Sequence, residues 1–139
     1  LIHAVDSLRL LREIDKQAAR VQRVIDVLLQ LHVAQEETKF GFSPEECEEM
    51  LQQGEWKSME HVRIRGIMCM ASLTDDEEQV AREFETSHRF FLQARDSHFA
   101  QVDYFTECSM GMSDDYPIAL QHGSTLVRIG SMIFGPRVY

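Results

Sequence analysis

Short apolar runs alternate along this chain with segments whose apolar residues recur every three or four positions, and that alternation restricts the fold more than any single motif. Ile2 to Val5 leads into Ser7, a cap for a helix in which Leu8, Leu11, Ile14 and Ala18 share one face. Val24 to Val33 has the length and composition of a strand. Ser43, Pro44 and Glu46 spell a capping box with proline at the first helical position, opening a helix to about Gly54. Val62 to Ser72 predicts a third strand. Thr74 and Glu77 predict a second capping box, with Val80, Phe84, His88, Phe91 and Leu92 on one face of the helix behind it. Tyr104 to Ser109 and Thr125 to Gly130 complete five strands, separated by a short helix from Asp114 to about His122. Strand, helix, strand with short connections implies a parallel sheet with right-handed crossovers.

Two parallel architectures fit this order, a doubly wound sheet and part of a (β/α)8 barrel. From Ile25 to Val33 the odd positions are all apolar, whereas Asp26, Leu28, Gln30 and His32 share the other face. A central strand of a doubly wound sheet is apolar on both faces. A barrel strand can turn polar groups inward near its C-terminal mouth, where ligands sit. The alternation therefore favours an α/β fold of the TIM (β/α)8 class. A whole barrel takes roughly 250 residues, so five βα units in a 139-residue chain make a partial barrel, about three units short. The chain opens on Leu1 and not on methionine, already running into a strand, and it reads as a piece of something longer whose N-terminal units are missing. No low-complexity linker divides residues 1–139, which read as one domain.

Charge and cysteine content narrow the function classes. Fourteen basic against 23 acidic residues give a net charge of -9, which argues against a nucleic-acid or anionic-membrane surface and for small-molecule or protein partners. Cys47, Cys69 and Cys108 are odd in number and widely spaced, suggesting neither a disulfide framework nor a zinc site, and a reducing cytoplasm suits them best. No stretch approaches the ~20 apolar residues of a membrane span. The histidines show no metal-ligand spacing, and Met68, Met70, Met110 and Met112 read as core or mouth lining.

The chemistry concentrates at the end of the chain. Two apolar runs stop at small residues, first at Ser109 to Gly111 and then at Gly130 and Ser131. Barrel enzymes commonly build a phosphate site from the loops after their last two strands, using backbone N–H groups. Ser109 to Ser113 is read as following the fourth strand and Gly130 with Ser131 as following the fifth, so the two stops can serve one phosphate. Equally, Gly111 and Gly130 can simply permit turns while Ser113 caps a helix. Arg128 is harder to account for in that way. A guanidinium inside an apolar terminal strand needs a carboxylate, a phosphate or a ring nitrogen as partner.

The stretch SMGMSDDYPIALQHGSTLVRIGSMIFGPR resembles the C-terminal signature of the pyridoxal-phosphate homeostasis proteins, whose fold is similar to the N-terminal barrel domain of alanine racemase. LIHAVDSLRLL, QLHVAQEETKFGF and VRIRGIMCMAS resemble earlier segments of that family in the same order, so the likeness covers essentially the whole chain. It implies the C-terminal part of a barrel domain that binds pyridoxal 5′-phosphate. It also implies that Ser109, Gly111, Met112 and Ser113 surround the phosphate, that Arg128 approaches the pyridine nitrogen, and that Gly130 and Ser131 add phosphate contacts. Family members begin with about three further strand-helix units, one of which carries the lysine that forms the Schiff base. Lys16, Lys39 and Lys57 are the lysines here, and none stands at that position, although Lys39 falls in a family-like segment at the mouth. The resemblance thus implies a non-catalytic carrier or buffer of pyridoxal phosphate, with non-covalent binding at most in this chain and no catalytic residue. A racemase-like enzyme using the same cofactor, or a remnant fold without it, is the alternative. Open barrel edges further predict self-association or pairing with an N-terminal fragment.

Overall fold

The computed structural model describes residues 1–35 and 40–139. In chain order it contains β1 (Ile2–Val5), α1 (Leu8–Arg20), β2 (Ile25–Leu31), α2 (Pro44–Gln53), a 3-10 helix (Glu55–Ser58), β3 (Val62–Cys69), α3 (Glu77–Asp96), β4 (Glu107–Met112), α4 (Tyr116–Gln121), β5 (Leu126–Arg128) and α5 (Ser131–Phe134). The five strands form one parallel sheet in the order β1-β2-β3-β4-β5, curled into a half-barrel with helices on its convex side.

Local chemistry sets most of these boundaries. The Ser7 hydroxyl accepts the Leu10 N–H at 3.1 Å and starts α1. At α2 both halves of the capping box form: Ser43 Oγ accepts from the Glu46 N–H, and the Glu46 carboxylate accepts from the Ser43 N–H. Gly54, left-handed at φ +75°, ends that helix. The second capping box does not form. Asp76 is the cap of α3, its carboxylate accepting the Gln79 N–H at 3.2 Å, while Thr74 Oγ1 accepts the Asp76 N–H and shapes the turn before it. Glu77 thereby becomes the first residue of the helix, where a negative charge faces the favourable end of the dipole.

The two faces of the sheet differ as the alternation in β2 requires. Val27, Leu29 and Leu31 pack with Cys47, Leu51, Phe84 and Phe91 in the core between sheet and helices. Beneath α3 this core is closed by aromatic rings, with Phe99 and Phe105 stacked at 4.1 Å and Trp56 at 4.9 Å from Phe99. Leu28, Gln30 and Met68 are also buried but stand outside that cluster, on the concave side. Asp26, at the N-terminal end of the same row, is not a mouth residue. It pairs with Arg63 at 2.7 Å and Arg65 at 3.3 Å, and the Arg63 hydrogen bond above all holds its carboxyl below the usual range. The polar face of β2 therefore splits into an ion-paired floor and a polar mouth.

One buried carboxylate ties the mouth loops together. Glu83 of α3 is 4% exposed and accepts from the Ser72 N–H and hydroxyl, both at 2.7 Å, and from Gln79 Nε2 at 3.1 Å. The Ser72 hydroxyl oxygen in turn accepts the Gln35 N–H at 2.8 Å, so the loops after β2 and β3 hang on one side chain. Replacing Glu83 with Gln turns one acceptor into a donor facing donors, and should cost about 1–3 kcal/mol in chemical denaturation. A midpoint equal to that of the parent would show that the network bears no weight.

Candidate functional site

The concave face and the ends of β4 and β5 meet at the mouth of the half-barrel. β4 runs through Met112, so Ser109, Gly111 and Met112 belong to the strand and not to a loop after it, contrary to the sequence reading. Pairing with β5, Ser109 with Leu126 and Met112 with Arg128, carries the ladder across residues small enough to look like a break.

Arg128 crosses the concave face. Its Nη1 donates to the Ser109 hydroxyl at 2.6 Å and to the Ser109 carbonyl at 3.0 Å, and its Nη2 donates to the Cys69 carbonyl at 2.8 Å. Of the partners expected for it, a carboxylate, a phosphate or a ring nitrogen, none is among these three acceptors. All three acceptors are neutral, so they orient the guanidinium without cancelling its charge. Burial lowers its pKa from the ordinary value, opposed by Cys69 and Asp115, and a half-buried cation is left facing the mouth. Ser109 is fully buried, and its role is to hold Arg128.

The two glycines part company. A Cβ on Gly111, at φ +104°, would come within 2.8 Å of the Ala119 Cβ and 3.0 Å of the Tyr116 Cα, so this glycine exists to let α4 lie against β4. A Cβ on Gly130 would meet nothing within 4 Å. No left-handed backbone and no protein neighbour demands glycine there.

Ser113 joins the two turns. Its hydroxyl oxygen accepts from the Gly130 N–H and the Met132 N–H, each at 3.3 Å, with the exposed Ser131 between them. Ser113 does not cap α4, whose cap residue is Asp115. The Met112 N–H is committed to the Asp115 carboxylate at 2.8 Å, so Met112 offers its side chain and not its amide. That side chain lines a largely apolar cavity of about 280 Å³ with Gln30, His32, Phe40, Met70 and Leu73. A neighbouring cavity of about 570 Å³ carries Asp75, Glu77, Asp114 and Asp115, whose charge repels a phosphate.

Other candidates resolve simply. Met68 and Met110 are buried, while Met70 and Met112 line the mouth. Cys47, Cys69 and Cys108 are free and buried, and burial pushes the first two thiols up to about 12 and about 11 and raises the third as well. Among the described residues no group of His, Cys, Asp or Glu is placed to hold a metal, and no helix is long and apolar enough to cross a membrane. Lys39 lies outside the described residues. Sequence reasoning missed the carbonyl of Cys69 as a partner of Arg128.

Comparison with known proteins decides the family. The family model for the alanine racemase N-terminal domain matches residues 1–138. The chain belongs to this family. The pyridoxal phosphate homeostasis protein of Helicobacter pylori is 36% identical over 134 residues, covering 96% of this chain and 56% of that protein. The structure of PipY from Synechococcus elongatus without pyridoxal phosphate superimposes with a TM-score of 0.86 at 31% identity, over 96% of this chain and 60% of PipY. The PipY structure with pyridoxal phosphate bound gives 0.82 at 30% identity, again over 96% and 60%. The chain spans somewhat more than half the length of these relatives.

Proposed function

We propose that this chain forms the phosphate and ring-nitrogen side of a pyridoxal 5′-phosphate site, as the C-terminal part of a barrel domain in a non-catalytic carrier of that cofactor in a reducing cytoplasm. The observation that carries the reading is the Ser113 hydroxyl, whose oxygen is fixed by the Gly130 and Met132 N–H groups so that its own proton can donate to a phosphate, beside open space at Gly130 and in the strand pair that carries Arg128. Membership of a family that includes a pyridoxal-phosphate-bound relative supports it.

In this reading Ser113, Gly130 and Ser131 hold the phosphate and Arg128 faces the pyridine nitrogen. Met112 and the apolar cavity beside it shield the ring, and Ser109 and Gly111 act from behind, one fixing Arg128 and the other seating α4. The bound cofactor supplies an aldehyde and an electron-withdrawing ring. Arg128 keeps its positive charge within reach of the ring nitrogen and disfavours a proton there, which weakens the ring as an electron sink and suits storage better than turnover. A racemase needs proton-transferring groups on both faces of the ring. Among the described residues lining the mouth cavity, His32 is the one imidazole, beside Gln30 and methionines. An amino-acid racemisation assay separates the two readings, and turnover would sink the carrier.

Titration with pyridoxine 5′-phosphate, which has no aldehyde, tests the site itself. The parent should bind it weakly, and Arg128→Glu should lower the affinity about tenfold or more; equal affinities would show that Arg128 does not face the ligand. Lys16 lies on α1 and Lys57 on the 3-10 helix, not on the strands of the sheet, and on this reading the described residues bind the cofactor non-covalently. Borohydride reduction with pyridoxal phosphate should leave no stoichiometric adduct, and a single modified lysine, Lys39 first, would overturn this.

The sheet also bears on partners. Among the described residues β1 and β5 each pair with a single neighbour, and beyond β5 Met132, Ile133 and Phe134 are 60%, 67% and 85% exposed. Such edges recruit strands. The 139-residue polypeptide produced alone should self-associate or retain a complementary fragment. Light scattering that reports a clean monomer over a hundredfold concentration range would count against that.

A further inference from the structure

β2 carries one buried polar head that the fold itself does not use. Gln30 is 5% exposed on the concave face, and its main-chain carbonyl already accepts the Phe42 N–H at 2.9 Å. Its side-chain carboxamide makes no hydrogen bond among the described residues. The polar atoms of that carboxamide are not sealed into the packing but open into the largely apolar mouth cavity of about 280 Å³, beside Leu31, Met70 and Met112. A polar group taken this far out of water without a partner costs stability, and an apolar side chain of the same length would fill the position without that cost. His32, next in the row, is only half-buried, and water can satisfy its ring.

We propose that Gln30 is a specificity-determining residue of the ligand site, its carboxamide oxygen accepting the proton of a hydroxyl carried on a flat heteroaromatic ring seated in this cavity. The inference rests on the reading of Arg128 as the ring-nitrogen residue. Gln30 pairs with Met68 and Met68 with Ser109, so Gln30 stands in the same layer of the sheet as the hydroxyl that holds the Arg128 guanidinium. Two strand spacings, roughly 10 Å, separate the Gln30 and Ser109 backbones. A six-membered ring with a hydrogen bond at each end is of the size to bridge such a gap. The chemistry of the two ends agrees. A hydroxypyridine carries its proton either on the ring nitrogen or on the oxygen, and the fixed charge of Arg128 disfavours the nitrogen. The proton then stays on the hydroxyl, which needs an acceptor, and a carboxamide oxygen is one that carries no charge to repel the ligand's phosphate.

The test compares two ligands on two proteins by calorimetric titration. The ligands are pyridoxine 5′-phosphate and its analogue with hydrogen in place of the ring hydroxyl; the proteins are the parent and Gln30→Met, which keeps the length of the side chain and removes its polar head. The parent should prefer the hydroxylated compound about fivefold, and Gln30→Met should bind both alike, at the parent's affinity for the analogue. The same preference in parent and variant overturns the proposal. Gln30→Met should melt no lower than the parent, because no hydrogen bond within the chain is lost; a Tm well below the parent's would show that the carboxamide is needed inside the chain and overturns the proposal as well. If the parent holds neither ring compound more tightly than inorganic phosphate, no ring is seated at Arg128, and the cofactor reading falls together with this one. A parent that holds both ring compounds equally, and far more tightly than inorganic phosphate, leaves the cofactor reading standing and removes Gln30 from it.

Discussion

Gly66→Ala should destabilise the chain severely. Gly66 sits where β3 shifts register against β2 and pairs with Glu107 of β4, at φ +156°. A Cβ there would stand 1.7 Å from the Glu107 carbonyl oxygen and 2.6 Å from its carbonyl carbon. The obstacle is backbone in the centre of a parallel sheet, which cannot rotate away as a side chain can. Overpacking of ordinary cores costs about 1–3 kcal/mol, and this substitution belongs at or above the top of that range. A drop of roughly 10 °C or more in Tm is the expected reading. A variant that melts with the parent would mean that β3 and β4 are not paired as described.

Gly130→Ala should do the opposite: leave stability alone and remove binding. Nothing lies within 4 Å of the added methyl group, so the stability should stay within the ±0.5 kcal/mol typical of surface changes. The methyl group enters open space beside Gly130, on the side proposed for the ligand's phosphate. Affinity for pyridoxine 5′-phosphate should fall about tenfold or more. The two glycines thus separate a structural from a functional requirement. Unchanged affinity would return Gly130 to the role of a simple turn residue, which the sequence alone allowed.

What the sequence made legible follows from the range of the interactions involved. Ser7, Ser43, Pro44 and Glu46 act within four residues of themselves, and each cap formed as read. The two-residue period of Ile25 to Val33 marks a strand with unlike faces, which the half-barrel bears out. Asp76 displaced Thr74 as a cap because two acceptors two residues apart compete for one helix start, and only tertiary placement decides between them. Residues whose roles depend on distant strands were read less well. Ser109 seemed to close a strand and is buried within one, because its pairing with β5 lies 17 residues further along the chain, at Leu126. Gly111 looked like a partner to Gly130, and the close approach that requires glycine there is that of α4. Asp26 looked like a mouth residue until Arg63 and Arg65 were found beside it.

The claim that the two turns share one phosphate, with Arg128 at the ring, is tested most directly by titrating the nitrogen-labelled chain with pyridoxine 5′-phosphate and then with inorganic phosphate. The amide signals of Ser113, Gly130, Ser131 and Met132 should move together with either ligand, along one binding curve for each. The Arg128 side-chain signal should move with the pyridoxine compound alone. Shifts confined to Arg63 and Arg65, or a Ser113 signal that stays still while Gly130 moves, would contradict the shared site.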